Sequence, residues 1–144
     1  MRAHSRHEIL LVDDNPADLD LIREALSGVE PKHVVNIVQD GELAIAFLTH
    51  SGQFRGASRP DLVILDLNLP RKDGRAVLAN VKSDPTLRSI PIVLFTTSGS
   101  RQDVIDCYAL GANCYVTKPG SLDEFRKAVQ SIQRFWLGVA RLPE

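Results

Sequence analysis

Three short, unbroken apolar runs constrain this chain more than any other feature: ILLV at 9–12, LVIL at 62–65 and IVLF at 92–95. A strand buried on both faces reads as a solid apolar run, and sheets of such strands are parallel, with helices on both sides. Two further runs, VVNIV at 34–38 and CYVT at 114–117, mix polar with apolar residues and suit half-exposed edge strands. Each of the five runs is followed by a segment of helical period. Asn15-Pro16 opens the first helix, with Leu19, Ile22 and Leu26 on one face up to Gly28. Asp40-Gly41 opens a second carrying Leu43, Ala44, Phe47 and Leu48, and Asp73-Gly74 starts a third carrying Val77, Leu78 and Val81. Ser100 with Asp103, and Ser121 with Glu124, have capping-box spacing for the last two. The fourth helix is expected to turn Val104, Ile105 and Ala109 inward and to stop at Gly111, and the fifth to bury Phe125, Ala128, Val129 and Ile132.

Five successive βα units predict an α/β fold of the flavodoxin-like, doubly wound (βα)5 type. The solid runs fall in the middle of a parallel sheet of order 2-1-3-4-5. Ligands of such sheets bind beyond the carboxyl ends of the strands, at the switch point between the first and the third. The 144 residues, 44% of them apolar, suffice for one domain with its own core. No apolar run approaches the ~20 residues that a bilayer-spanning helix needs. With 17 basic against 18 acidic residues, no basic field holds the chain on DNA. Cys107 and Cys114 lie seven apart, which is neither a metal knuckle nor a disulfide framework, and point to a reduced, cytoplasmic thiol pair. His4, His7, His33 and His50 form no ligand motif and are given no metal role. The opening MRAHSRH lacks the apolar stretch of a secretory signal, so residues 1–7 are expected to be a disordered tail.

The residues just past the strands are Asp13 and Asp14, Asp66, Thr96 and Lys118, and the topology puts all of them on one rim. Like charges about 4 Å apart repel by about 4 kcal/mol at an effective dielectric of ~20, so three carboxylates there need neutralising. Lys118 brings their formal sum from minus three to minus two, which suits a hard divalent ion, Mg²⁺ first and Mn²⁺ or Ca²⁺ next. A Mg²⁺ held by one or two carboxylates keeps room for phosphoryl oxygens, and phosphoryl transfer needs mainly positioning and charge neutralisation. Asp66 lies on the middle strand, placed for in-line attack, and the product is an aspartyl phosphate. Plainer roles stand beside these. Asp14 and Asn15 serve equally as caps of the first helix, and Asp66 could be a structural salt-bridge partner of Lys118. Thr96 suits a strand and Lys118-Pro119 a turn; the shared rim is what singles them out.

With DD after the first strand, DLNLPRKDG after the third, TTS after the fourth and TKP after the fifth, the chain resembles the receiver domain of two-component response regulators. The resemblance runs from residue 8 to about 132, and residues 8–144 are taken as the receiver with a C-terminal extension at 133–144. It implies that a sensor histidine kinase phosphorylates Asp66. It implies too that Asp14, Asp66 and the backbone carbonyl of Asn68 bind Mg²⁺ directly, with Asp13 acting through water. Thr96 would bond a phosphoryl oxygen, Lys118 would pair with it, and Pro119 would follow a cis peptide bond. Tyr115 stands at the family's aromatic switch position, although a plain edge-strand aromatic fits the same place. Asn68 and Ser98 would flank the path of the water that hydrolyses the acyl phosphate. An aspartate-based phosphatase is the rival reading, but its general acid belongs at position 68, where this chain has Asn. A scaffold that never carries phosphate is another, and the intact Asp66, Thr96 and Lys118 weigh against it.

A helix from Leu122 to about residue 139 is ~27 Å long, whereas strands of five or six residues span only ~17 to 20 Å. The overhang carries Phe135, Trp136, Leu137 and Val139 where a solvated end should be polar. Clustered aromatics mark an interface, unless the tail folds back on its own domain. The ending SIQRFWLGVARLPE and the stretch GQFRGASRPDLVILDLNLPRKDGR are similar to single-domain regulators that pair with phytochrome histidine kinases. That similarity implies a stand-alone receiver in red-light signalling and a homodimer through the C-terminal helix, with a chemotaxis-type adaptor of the flagellar motor as the alternative. In either case its output is contact with a partner protein.

Overall fold

The computed structural model describes residues 7–27 and 33–143. The expected N-terminal tail, apart from His7, and the Gly28 stop lie outside the described residues. Five strands, β1 (Glu8–Val12), β2 (Val34–Val38), β3 (Leu62–Leu65), β4 (Ile92–Thr96) and β5 (Cys114–Thr117), alternate with five helices, α1 (Pro16–Leu26), α2 (Gly41–Leu48), α3 (Gly74–Ser83), α4 (Arg101–Ala109) and α5 (Leu122–Gln133). The strands form one parallel sheet in the order β2-β1-β3-β4-β5, with Val12 opposite Leu65, Leu65 opposite Leu94 and Thr96 opposite Thr117. The sheet is the flavodoxin-like one that the sequence predicts. Every residue of β3 and β4 is buried, whereas β2 and β5 are largely half-exposed, as edge strands should be.

Alternation along the strands splits the core in two. Leu10, Val12, Val63, Leu65, Ile92 and Leu94 pack under α2 and α3, with Cys107 from α4. Ile9, Leu11, Leu62, Ile64, Val93 and Phe95 meet α1 and α5 on the other face. The caps sit where the spacing puts them. Asn15, Asp40, Asp73, Ser100 and Ser121 each accept a first-turn N–H of the helix they precede. Gly74 allows α3 to start against the end of β3, since a Cβ there would lie 2.3 Å from the Asp66 carbonyl oxygen.

Two expectations are corrected. Only Cys107 of α4 is fully buried; Val104 is half-buried, while Ile105 and Ala109 face solvent. The apolar residues of α4 are spread around the helix instead of forming one stripe, and the helix leans on the edge strand β5, where little sheet remains to cover. The C-terminal helix is not α-helical throughout: beyond Gln133 it continues as π-helical turns over Arg134–Val139. Trp136 lies four residues past Ile132 and Leu137 four past Gln133, so both extend the buried stripe of α5 and pack on the core. Phe135 and Val139 fall off that stripe and are 51% and 69% exposed. Among the described residues no helix is long and apolar enough to cross a membrane.

Candidate phosphoacceptor and metal site

Parallel pairing lines up the carboxyl ends of β1 and β3, so the chain leaves both strands on the same side and delivers acidic side chains to one pocket. Asp13, Asp14 and Asp66 each offer a carboxylate oxygen within 4.8 Å of the others. Asp13 and Asp66 are buried and Asp14 is exposed, so the cluster is walled by protein and open at Asp14. Backbone bonds hold it: the Asp13 N–H donates to Val38 O at 3.2 Å and the Asp66 N–H to Val12 O at 2.9 Å. Asp13 Oδ1 accepts the Asn15 N–H at 2.9 Å, and Asp66 Oδ1 accepts the Asn68 N–H at 3.3 Å, which leaves other carboxylate lone pairs directed into the pocket.

Lys118 leaves β5 and buries its ammonium among these groups. Its Nζ donates to Asp13 Oδ2 at 2.7 Å, Asp18 Oδ2 at 2.8 Å and Asp66 Oδ2 at 3.0 Å, with a side chain only 2% exposed. All three donors of the ammonium are therefore used. Burial alone would lower the Lys118 pKa; the bonds to Asp13 and Asp18 and the attraction of Asp13 and Asp66 overcome this and raise it. Burial raises the carboxyl of Asp13 above its ordinary value, partly offset by the bonds from Lys118 and the Asn15 N–H. With four carboxylates against one lysine, the rim carries a formal charge of minus three, one more negative than the sequence count.

Asp18 is the residue that sequence reasoning missed. It stands in the first turn of α1, where an acidic residue ordinarily reads as a complement to the helix dipole, and the turn carries it back over the pocket. Asp13, Asp14, Asp66 and Lys118 come together as expected. Thr96 is fully buried at the end of β4, and its carbonyl accepts the Lys118 N–H at 2.6 Å. Asn68 is exposed beside the pocket. Tyr115 is half-buried and turned toward the β4–α4 loop, where its hydroxyl donates to the Ser98 carbonyl at 2.7 Å. Phe135, Trp136, Leu137 and Val139 lie on the C-terminal extension and take no part in this pocket.

A pocket of hard oxygen donors with excess negative charge, on the carboxyl rim of a 2-1-3-4-5 sheet, has the donor chemistry for a divalent ion. Together with the buried lysine, these features define a receiver. The chain belongs to the response regulator receiver domain family, whose pattern matches residues 9–130. It is 47% identical over 135 residues to response regulator Rcp1 of Synechocystis sp. (strain ATCC 27184 / PCC 6803 / Kazusa), covering 94% of this chain and 92% of Rcp1. The phosphorylated cyanobacterial phytochrome response regulator RcpA superposes with a TM-score of 0.96 at 48% identity, over 97% of this chain and all of RcpA. The Mn²⁺-bound form of Rcp1 gives 0.93 at 46% identity, over 96% of this chain and 99% of that one.

Proposed function

We propose that this protein is a stand-alone, cytoplasmic response regulator that accepts a phosphoryl group on Asp66 from a sensor histidine kinase, with a bacterial phytochrome as that kinase. The observation that carries this reading is the buried Lys118 ammonium, bonded at once to Asp13, Asp18 and Asp66 at the switch point of the sheet. A purely structural ion pair needs one carboxylate, whereas this rim keeps an excess of them. In the transfer, an Asp66 carboxylate oxygen forms a bond to phosphorus as the phosphorus–nitrogen bond of the kinase phosphohistidine breaks. Asp14, Asp66 and the Asn68 carbonyl would hold Mg²⁺ directly, with Asp13 acting through water, and the ion would supply positive charge for the phosphoryl oxygens. Lys118 pairs with the same oxygens and Thr96 bonds one of them. Occupation of Asp66 shifts a two-state equilibrium read at α4, β5 and α5, with Tyr115 as the reporter on β5. The hydrolysis that resets the switch is slow, so the protein signals and does not turn over a metabolite.

RcpA is a phytochrome response regulator by name, and the likeness to it supports the light-signalling assignment over a flagellar adaptor. This chain spans 92% of Rcp1 and the whole of the superposed RcpA chain, which supports reading residues 8–144 as a receiver. The exposed Phe135 and Val139 support a homodimer through the extension at 133–144, with Trp136 and Leu137 backing them from the core side. Incubation with Mg²⁺ and a small phosphodonor tests the central claim by intact-protein mass. One phosphoryl group should appear on the unsubstituted chain and none on Asp66→Asn. Rapid multiple turnover would instead indicate a phosphatase, and no label at all a scaffold. Transfer from a phosphorylated phytochrome kinase, compared with other kinases of the host, tests the partner.

A further inference from the structure

The loop over residues 66–73 joins β3 to α3 and carries Asn68 past the pocket. Its near end is tied to the site itself, since the Asn68 N–H donates to Asp66 Oδ1 at 3.3 Å. Within the loop the Leu67 carbonyl accepts the N–H groups of Leu69 at 3.1 Å and Gly74 at 2.9 Å, and the Pro70 carbonyl accepts that of Lys72 at 2.8 Å. None of these bonds uses the Asn68 carbonyl, which stays available as a ligand. At Arg71 the backbone is left-handed, with φ +68°, a conformation that is unfavourable for any residue with a Cβ.

The far end of the loop is held by a different element, the start of α2. The Gly41 N–H donates to the Pro70 carbonyl at 3.4 Å. Asp40 is buried and divides its carboxylate: Oδ1 caps α2 by accepting the Leu43 N–H at 2.8 Å, and Oδ2 pairs with Arg71 Nε at 3.3 Å. A Cβ on Gly41 would lie 1.8 Å from the Lys72 carbonyl oxygen and 2.6 Å from its carbon, backbone atoms that cannot swing aside as a side chain could. Only glycine lets the loop settle this far onto the helix. We infer that Asp40 and Gly41 are positioning residues of the metal site: the start of α2 is the seat that fixes the loop over the pocket, and so fixes where the Asn68 carbonyl meets the ion. This rests on the reading of Asp14, Asp66 and Asn68 as the direct ligands of Mg²⁺. The consequence is selective, because Mg²⁺ demands near-ideal octahedral geometry at about 2.0 to 2.1 Å, whereas Ca²⁺ accepts flexible geometry at about 2.3 to 2.6 Å. A displaced loop therefore costs Mg²⁺ a ligand that Ca²⁺ can still reach.

The test is calorimetric titration of the full chain with MgCl₂ and with CaCl₂, beside the melting temperature and without any phosphodonor. Gly41→Ala should weaken Mg²⁺ binding about tenfold, the size of effect that residues behind a metal ligand have. Its Ca²⁺ affinity should change by less than about threefold. Arg71→Gly relieves the left-handed backbone and frees the loop from Asp40. Its melting temperature should equal or exceed that of the parent, while Mg²⁺ binds about threefold more weakly because the loosened loop must be ordered again. A merely structural role predicts instead that both affinities follow the melting temperature. Mg²⁺ and Ca²⁺ affinities that fall together in Gly41→Ala, or an unchanged Mg²⁺ affinity in Arg71→Gly, overturn this inference alone, and the second result decides if Gly41→Ala does not fold. An unsubstituted protein that takes up no Mg²⁺ overturns the reading of the metal site and this inference with it.

Discussion

Replacing Lys118 with Met keeps the length of the side chain and removes its charge. Its side chain is 2% exposed, and it bonds Asp13 and Asp66, whose side chains are 4% and 8% exposed, together with Asp18 at 20%. Removing one partner of a buried ion pair costs about 3 to 5 kcal/mol, because the carboxylates left behind are neither solvated nor compensated. The three bonds share one ammonium and are not additive, so the same range applies to the cluster as a whole. Against a domain stability of about 5 to 15 kcal/mol, that is a large share of the total. With a urea slope of about 2 kcal/mol/M, the midpoint at pH 7 should fall by about 2 M. Two conditions should restore it. Mg²⁺ now meets four carboxylates without the competing lysine, so it should raise the midpoint more in the variant than in the parent. Acid should also help. Burial already raises the Asp13 carboxyl and Lys118 opposes that rise, so its loss lets Asp13 take up a proton in the folded variant at a higher pH than in the unfolded chain. Folded protein then binds more protons than unfolded, and its stability gains as the pH falls from 7 through the raised value. Urea denaturation at pH 7 and pH 5, with and without Mg²⁺, measures all of this. A midpoint shift below about 0.5 M at pH 7, or equal Mg²⁺ stabilisation of both proteins, would refute the view that this ammonium compensates the buried carboxylates of the rim.

Gly74→Ala would place a Cβ 2.3 Å from the Asp66 carbonyl oxygen and 2.6 Å from Leu67 Cα, both backbone atoms of the pocket. It should cost at least about 1 to 3 kcal/mol and weaken Mg²⁺ binding, read by urea denaturation and metal titration. Phe135→Ser with Val139→Ser alters two exposed apolar side chains, so sedimentation should show monomer while the unfolding free energy from urea denaturation stays within about 0.5 kcal/mol of the parent. Retention of a dimer by that variant would move the self-association surface elsewhere.

The order of the sheet was legible because burial on two faces leaves its mark on each strand separately: LVIL and IVLF admit no polar residue, while VVNIV and CYVT do. Helix starts were legible for a similar reason, since a cap acts over three residues and needs no distant partner. Once the strands are parallel and ordered, Asp13, Asp14, Asp66 and Lys118 must share a rim, and the amino-acid sequence by itself determined that much of the site. Which atoms meet there was decided only by tertiary structure. Asp18 reaches Lys118 across 100 residues because of the azimuth at which α1 leaves its cap. Asp103 abandons half its capping box because Arg75, on a different helix, stands close enough to claim its carboxylate. The α4 face and the division of the C-terminal apolar residues between core and solvent follow the same rule. Periodicity records that a residue is apolar and where it sits on a helix, but the packing partner is set by where that helix docks, and a sheet edge leaves α4 little to cover.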